Sequence, residues 1–528
     1  MMTALKIDAE LCIVGSGISG ALCALRLAGS FKRIVVLEKG PRSLGGSHAF
    51  HRFVAERREP ALSYPVTPLS RNYFTNKRDH VPYQYMLGLV GGATNVWWGS
   101  AGRLMPTDFK MKSTYGVGLD WPIEYSDLEP YMCEAEQEML ISGDINDSPW
   151  PQSRPYPLPP HRLSPHEQLI ADRMAAHGLK VVTMPTARLS LPRQGRPACC
   201  GAGTCSACPV EAKYTCTNTH IPLVDREPSI DLRPGIRANL LDTEGDRVKA
   251  VLAQDEQGNE IAVTATVFLL AANAFENVRI LLNSAVHDEA FRANPQTGRN
   301  FHDHPSLEIR GRSPLNLKRG NGPTPMAGVT HSFADGPFRS HRAAVEVATF
   351  DPPPTVDDLV RPLVQGLRSG LSGDRLFEFA RNDWQGSFWL GCQIDQLADP
   401  DSVIRLSATE RDPYGWPIIE IDVKCWTDYV HRGAEHWRAT AEKIVKDLGA
   451  AAEFTAKPAN VHHKGTHLMG TSPDNSVIDA NMRYHHYENL FLLGQGVMPS
   501  GGVTSPTVTL AALALRCAAF LKAHRSSF

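Results

Sequence analysis

The sequence predicts an α/β protein (α+β overall) in which a Rossmann-like nucleotide-binding domain is combined with a second, strand-rich domain. The chain begins with a glycine fingerprint set between two apolar strands, and apolar runs return towards that sheet far downstream. Between Ser306 and about Ala452, stretches such as His341-Arg-Ala-Ala-Val-Glu-Val-Ala-Thr-Phe350 have the character of further strands. With 528 residues, 42% hydrophobic and 21% charged, the chain is long enough for two intertwined domains around a large core.

The nucleotide end comes first. Leu11-Cys-Ile-Val-Gly15-Ser-Gly17-Ile-Ser-Gly20 reads as a buried strand entering a tight glycine turn, and Ala21 to Ala28 continues at helical period. Arg33-Ile-Val-Val-Leu-Glu38 is a second apolar strand, ending in an acid 18 residues beyond Gly20. Glycines at this spacing let the backbone approach a pyrophosphate at a helix N-terminus, and the acid is placed to bind ribose hydroxyls. These residues alone do not choose between FAD and NAD. Asp246 to Ala253 and Val263 to Asn273 read as strands returning to the same sheet, and an Ala/Leu-rich helix begins near Thr507. The Pro-rich pieces Ser148–Pro160 and Asp351–Pro354 read as linkers or loops.

A net charge of −2 gives no electrostatic footprint for nucleic acid. No run of 18 apolar residues is present, so no transmembrane segment is expected. The first residues carry neither a signal-peptide apolar region nor a twin arginine. By its own sequence the chain is expected to be cytoplasmic, or periplasmic if exported bound to a signal-bearing partner.

Eleven cysteines are present, and four of them crowd into Cys199-Cys200-Gly-Ala-Gly-Thr-Cys205-Ser-Ala-Cys208-Pro209, with Cys216 just beyond. Clustering of this kind in a long chain favours a metal or redox site over a disulfide framework. The other six (Cys12, Cys23, Cys133, Cys392, Cys425 and Cys517) are scattered and read as small buried apolar residues. Three readings of the cluster stay open: an iron–sulfur site, a zinc site, and reduced or disulfide-forming thiols without metal. Zinc usually takes two separated cysteine pairs, whereas vicinal cysteines serve two irons of a larger cluster more readily than one small ion. Cys205-x-x-Cys208-Pro has the Cys-Pro ending of bacterial ferredoxin motifs. Gly201 and Gly203 suit a loop wrapped round a cluster.

Five further blocks carry a family resemblance. They are Gly91-Gly-Ala-Thr-Asn-Val-Trp-Trp-Gly99, Arg103 to Phe109, Tyr115 to Ile123, Gly298-Arg-Asn-Phe-His-Asp-His-Pro305, and the stretch from Gly465 to Ala519. In order and content they resemble the glucose–methanol–choline (GMC) oxidoreductases. Within the family they are most similar to the catalytic subunits of bacterial FAD-dependent sugar dehydrogenases, glucose dehydrogenase in particular. The resemblance implies a discontinuous FAD-binding domain (1–110, 190–305 and 453–528, with a cluster-binding insertion at about 196–220). It also implies a substrate domain (111–189 and 306–452) whose antiparallel sheet roofs the flavin. The residues implied to hold FAD are Gly15, Gly17, Gly20, Glu38, Gly92, Asn95, Ala272, Gly494, Pro506 and Thr507. No histidine stands between Gly91 and Gly99, where members with a covalent flavin carry one, so non-covalent FAD is expected.

By the same resemblance, Lys464-Gly-Thr-His467 presents His467 to the flavin as the base that removes a hydroxyl proton, a task suited to a neutral imidazole. His462 and His463 lack that match and read as structural or pocket-rim residues. Ser505 stands where the family has His or Asn; serine orients a hydroxyl but is no base at neutral pH. His302-Asp303-His304 lies in a family block and reads as structural or flavin-side rather than as metal ligands. Cys199, Cys200 and Cys205 are the implied ligands of a three-iron (3Fe-4S) cluster, with Cys208 a bystander or a fourth ligand. The activity implied is oxidation of a sugar or polyol, with electrons passing from FAD through the cluster to a cytochrome-type acceptor and a small accessory subunit as partner. Two alternatives are an oxygen-using flavin alcohol oxidase with structural cysteines and a non-redox flavoprotein lyase or binding protein.

Overall fold

The structure is a computed structural model that describes residues 5–56, 60–320, 328–351, 356–459 and 461–528; the Pro352–Pro354 part of the second proline-rich linker lies outside them. The elements that build the site begin, in chain order, with β1 (Leu11–Val14), α1 (Ile18–Leu27), β2 (Ile34–Glu38), β3 (Val181–Thr183), β4 (Ile230–Pro234) and β5 (Val267–Leu270). They continue with α2 (Ala274–Ser284), β6 (Ser306–Arg312), β7 (Gly328–Phe333), β8 (Val345–Phe350), β9 (Ser387–Ile394), α3 (Asp428–Asp447), β10 (Ala451–Lys457), β11 (Leu490–Leu492) and α4 (Thr507–Ala523).

Parallel pairing joins five strands in the order β11–β5–β1–β2–β4. Every residue of β1, β2, β5 and β11 is buried. Parallel strands covered on both faces have no polar alternation, and that is why they appear in the sequence as unbroken apolar runs. α4 packs against α1, where the Cys23 thiol donates to Ala514 O at 3.3 Å. Most of α4 is buried, which accounts for its nearly continuous Ala/Leu sequence.

One expected strand goes elsewhere. Arg247–Asp255 does not return to the parallel sheet; it lies in a separate four-stranded sheet between Ile236–Glu244 and Glu260–Thr264. Only Gly245 and Asp246 separate it from Ile236–Glu244, and a two-residue connection forces antiparallel pairing.

A six-stranded sheet is antiparallel throughout, in the order β10–β6–β9–β8–β7–β3. β3 belongs to the 111–189 segment, while β10 straddles the expected boundary at 452/453 and pairs along its whole length with β6. Period-two alternation divides the sheet faces. Ile309, Val345, Val347, Phe388 and Leu390 pack with Trp437 and Ile444 of α3. The opposite face carries Glu308, Arg310, Glu346, Phe350, Trp389 and Gln393, all of which line a cavity.

Candidate active site

A cavity of about 670 Å³ runs between the parallel five-stranded sheet and the antiparallel six-stranded sheet, lined by Gly15, Gly17, Glu38, Gly92, Ala272, Gly494 and Thr507 on one side. Gly92 sits so close to the fingerprint loop that a Cβ on it would stand 2.9 Å from Gly17 Cα. Two stretches of backbone thus meet without side chains between them, at the N-terminal end of the ten-residue α1. That is a cradle for a pyrophosphate, and these residues fit FAD. Glu38 is held in place by Ser16, whose N–H and Oγ–H donate to Oε2 at 3.0 and 2.8 Å, and by Gly40 N–H, which donates to Oε1 at 2.9 Å. Burial raises its carboxyl above the ordinary value.

Three of the residues expected to hold FAD stand back from the cavity. A Cβ on Gly20 would lie 1.9 Å from Gly15 O, so this glycine serves the close packing of α1 on the turn. Asn95 donates to Val90 O (3.1 Å) and Gly92 O (2.9 Å) and shapes the glycine loop from behind. Pro506 caps the start of α4.

His467, the expected base, does not line the cavity. Its ring is fully buried, with Nε2 3.3 Å from Leu493 O and Nδ1 3.0 Å from Thr466 Oγ1. The cavity is bordered instead by His462 and His463, together with Ser505. His463 is packed among Tyr83, Phe275 and Phe301, 3.6 Å from Asp303. His462 Nδ1 meets His304 Nδ1 at 2.9 Å, and its backbone N–H donates to Asp303 Oδ1 at 3.1 Å. Burial, and after it the charge of Lys464, lowers His462 to about 3, so the ring is neutral at pH 7. Three histidines within six residues cannot be ranked by residue type, and only the packing separates them.

The antiparallel sheet expected to roof the flavin does face the cavity, but the side chains it presents there are not legible in the sequence. Glu346 and Gln393 are cross-strand neighbours on β8 and β9. Glu346 Oε2 and Gln393 Oε1 are buried without hydrogen-bond partners, and burial raises the Glu346 carboxyl to about 8. Further along, Trp389 stacks on Phe350 at 4.2 Å, and the Arg310 guanidinium lies 4.4 Å from the Trp389 ring centre. The one available signal was Glu346 itself, a lone charge inside the apolar run Val345–Phe350.

Cys199, Cys200, Cys205 and Cys208 surround one small cavity together with Arg188 and Lys213. Arg188 Nη1 donates to Cys205 Sγ at 3.3 Å, and Lys213 Nζ donates to Asn95 O (2.7 Å) and Trp97 O (2.8 Å). Burial lowers Lys213 to about 8, partly offset by Cys205 and Cys208. Among the described residues no three His, Cys, Asp or Glu side chains are grouped to hold a metal ion. The expected ligands therefore ring a cavity and do not meet at a point. Cys216 lies apart, its thiol 3.3 Å from the Tyr214 hydroxyl.

Comparison with known proteins agrees with this architecture. Residues 164–306 and 399–514 match two GMC oxidoreductase family models, and residues 13–76 match the NAD(P)-binding Rossmann-like domain. The chain is 30% identical to the fructose dehydrogenase large subunit of Gluconobacter japonicus over 97% of each chain. It belongs to the GMC oxidoreductase family. As such it is an FAD-dependent oxidoreductase acting on CH–OH groups. This GMC oxidoreductase is also 26% identical to the 6'''-hydroxyparomomycin C oxidase of Streptomyces lividus, over 98% of this chain and 91% of that one. In fold it resembles pyridoxine 4-oxidase from Mesorbium loti, with a TM-score of 0.65 at 17% identity, covering 98% of this chain and 99% of the other.

Proposed function

We propose that this enzyme oxidises a hydroxyl of a sugar or polyol, with His462 removing the hydroxyl proton and Ser505 orienting the hydroxyl. The observation that carries this reading is the placement of His462, a neutral imidazole bordering the cavity that Ser505 also lines. Gly15, Gly17, Glu38, Gly92 and Thr507 would hold FAD non-covalently, and the flavin would supply a hydride acceptor for the substrate carbon. The roof supports a polyhydroxy substrate. The Trp389–Phe350 stack offers a flat apolar face for the C–H side of a sugar ring, and Gln393 Oε1 and Glu346 Oε2, the latter 3.6 Å from His331 Nδ1, offer buried oxygens without hydrogen bonds for its hydroxyls. A relative named for fructose supports the same substrate class.

In the same proposal, Cys199, Cys200 and Cys205, with Cys208 beside them, would hold an iron–sulfur cluster, which would supply one-electron transfer towards a cytochrome-type acceptor. Support comes from four thiols placed around a cavity and from the Arg188 and Lys213 side chains that line it with them. The relative's name, a large subunit, supports a small companion subunit. A second reading, an oxidase that passes electrons to oxygen, is favoured by the relative from Streptomyces lividus, which is named as an oxidase. Stoichiometric hydrogen peroxide would select it.

The test of the base is His462→Ala, measured as anaerobic flavin reduction in FAD-loaded enzyme. The expected loss is roughly 10²- to 10⁴-fold with FAD retained. An unchanged rate in His462→Ala, with collapse in His467→Ala, would return the role to His467.

A further inference from the structure

The hydrogen-bond partners of two histidines fix which nitrogen of His462 carries its hydrogen. His304 Nε2 lies 3.0 Å from Gly502 O, and a carbonyl oxygen only accepts, so His304 Nε2 is the protonated atom. In a neutral ring the other nitrogen is then bare, and His304 Nδ1 faces His462 Nδ1 at 2.9 Å. That contact is a hydrogen bond only if His462 Nδ1 donates. Both rings are neutral, since burial lowers His304 well below its ordinary value and lowers His462 to about 3. The hydrogen of His462 therefore sits on Nδ1, and its Nε2 holds a free lone pair.

We infer that His304 is a positioning residue, whose bare Nδ1 holds His462 in the Nδ1–H tautomer and leaves His462 Nε2 to meet the substrate hydroxyl. This inference rests on the reading of His462 as the base. In the proton-transfer step the substrate O–H bond breaks and an N–H bond forms at Nε2, while the Nδ1–H···Nδ1 hydrogen bond to His304 stays intact. The opposite tautomer would present an N–H to the hydroxyl and accept nothing.

The surrounding contacts hold the two rings to this geometry. Asp303 Oδ1 accepts the backbone N–H of both His304 (2.6 Å) and His462 (3.1 Å), tying the two residues to one oxygen. Gln396 Oε1 in turn accepts Asp303 N–H at 2.9 Å. The rings cross at 78° with centroids 5.0 Å apart, an edge-on approach that leaves little freedom for a flip. Gly502 stands three residues before Ser505, so the same chain of contacts joins the base to the loop carrying its expected partner.

Two substitutions separate this role from a merely structural one. In His304→Asn the amide oxygen takes the place of Nδ1 and accepts from His462, whereas in His304→Gln the amide reaches only the position of Nε2. With FAD-loaded enzyme and whichever of D-fructose, D-glucose or D-sorbitol reduces the flavin fastest, His304→Gln should slow the limiting anaerobic rate by roughly ten- to a hundredfold with little change in substrate half-saturation. His304→Asn should restore most of that loss. The nitrogen spectrum of ¹⁵N-histidine-labelled enzyme, with His462 assigned by its absence in His462→Ala, should show Nδ1 protonated in the wild type and a tautomer mixture in His304→Gln. Full activity of His304→Gln, or a wild-type His462 protonated at Nε2, would overturn the inference. The spectrum decides even if both variants lose FAD. Failure of His462 as the base would appear separately, as an undiminished rate in His462→Ala with the Nδ1–H tautomer still present.

Discussion

Gly496 and His467 are packed so tightly that a Cβ on residue 496 would stand 2.0 Å from His467 Cε1 and 2.3 Å from its Nδ1. The same imidazole reaches Leu493 O, and its backbone N–H donates to Gly496 O at 3.2 Å. His467 therefore anchors the turn that carries Gly494 and Gln495 past the cavity, and it does so from the side away from the cavity. His467→Ala should cost about 1–3 kcal/mol through lost packing and unpaired buried groups. The expected outcome is a lower melting temperature, with flavin reduction largely kept in the FAD-loaded fraction. Gly496→Ala should be at least as damaging, because its Cβ has no room. Thermal unfolding beside stopped-flow flavin reduction checks both, and a stable His467→Ala with no flavin reduction would contradict them.

The parts of the fold legible in the sequence were those whose chemistry is local. The glycine turn, β1, β2 and the helix from Thr507 each follow from a periodicity or a backbone requirement within about 20 residues. Ser505, expected by family resemblance to orient the substrate hydroxyl, lines the cavity. The identity of the cavity histidine was not legible. His462 differs from His467 only in what lies across from it: His304 and open cavity in one case, Leu493 and Gly496 in the other. The Arg247–Asp255 strand was misplaced because its apolar pattern is the same in either sheet, and only the two-residue turn before it selects the partner. Glu346 is not legible as a site residue, because a single acid in a strand carries no motif.

Glu346 gives a pH prediction with a definite sign. Burial raises its carboxyl to about 8 from an ordinary value near 4.5. The folded state thus keeps a proton that the unfolded chain releases. Its contribution to stability is fully present below about pH 4.5 and is lost as pH rises through about 8, amounting to a few kcal/mol by the roughly 1.4 kcal/mol per pH interval of linkage. Glu346→Gln removes this dependence. The melting temperature of the wild type should fall relative to Glu346→Gln between about pH 5 and pH 8 and then run parallel to it. Parallel curves throughout that range would mean that Glu346 is ionised in the folded protein.

The cysteine loop forms part of the wall of the flavin cavity as well as its own small cavity. Trp98 Nε1 donates to Ser206 Oγ at 2.9 Å, and both residues line the larger cavity, while Ser206 stands between Cys205 and Cys208. In the proposed relay, a cluster at these thiols would stand behind this shared wall and act on electrons leaving the flavin, not on the substrate. Cys205→Ser should therefore leave anaerobic flavin reduction by substrate close to wild type. It should also remove iron and acid-labile sulfide and slow reduction of a one-electron acceptor such as ferricyanide. Low-temperature electron paramagnetic resonance of the anaerobically purified wild type should show a cluster signal that changes when substrate is added. Arg188→Leu should weaken iron retention through loss of the guanidinium beside Cys205 Sγ while leaving FAD content unchanged. An iron-free wild type that turns over with stoichiometric hydrogen peroxide would make these thiols structural and oxygen the acceptor.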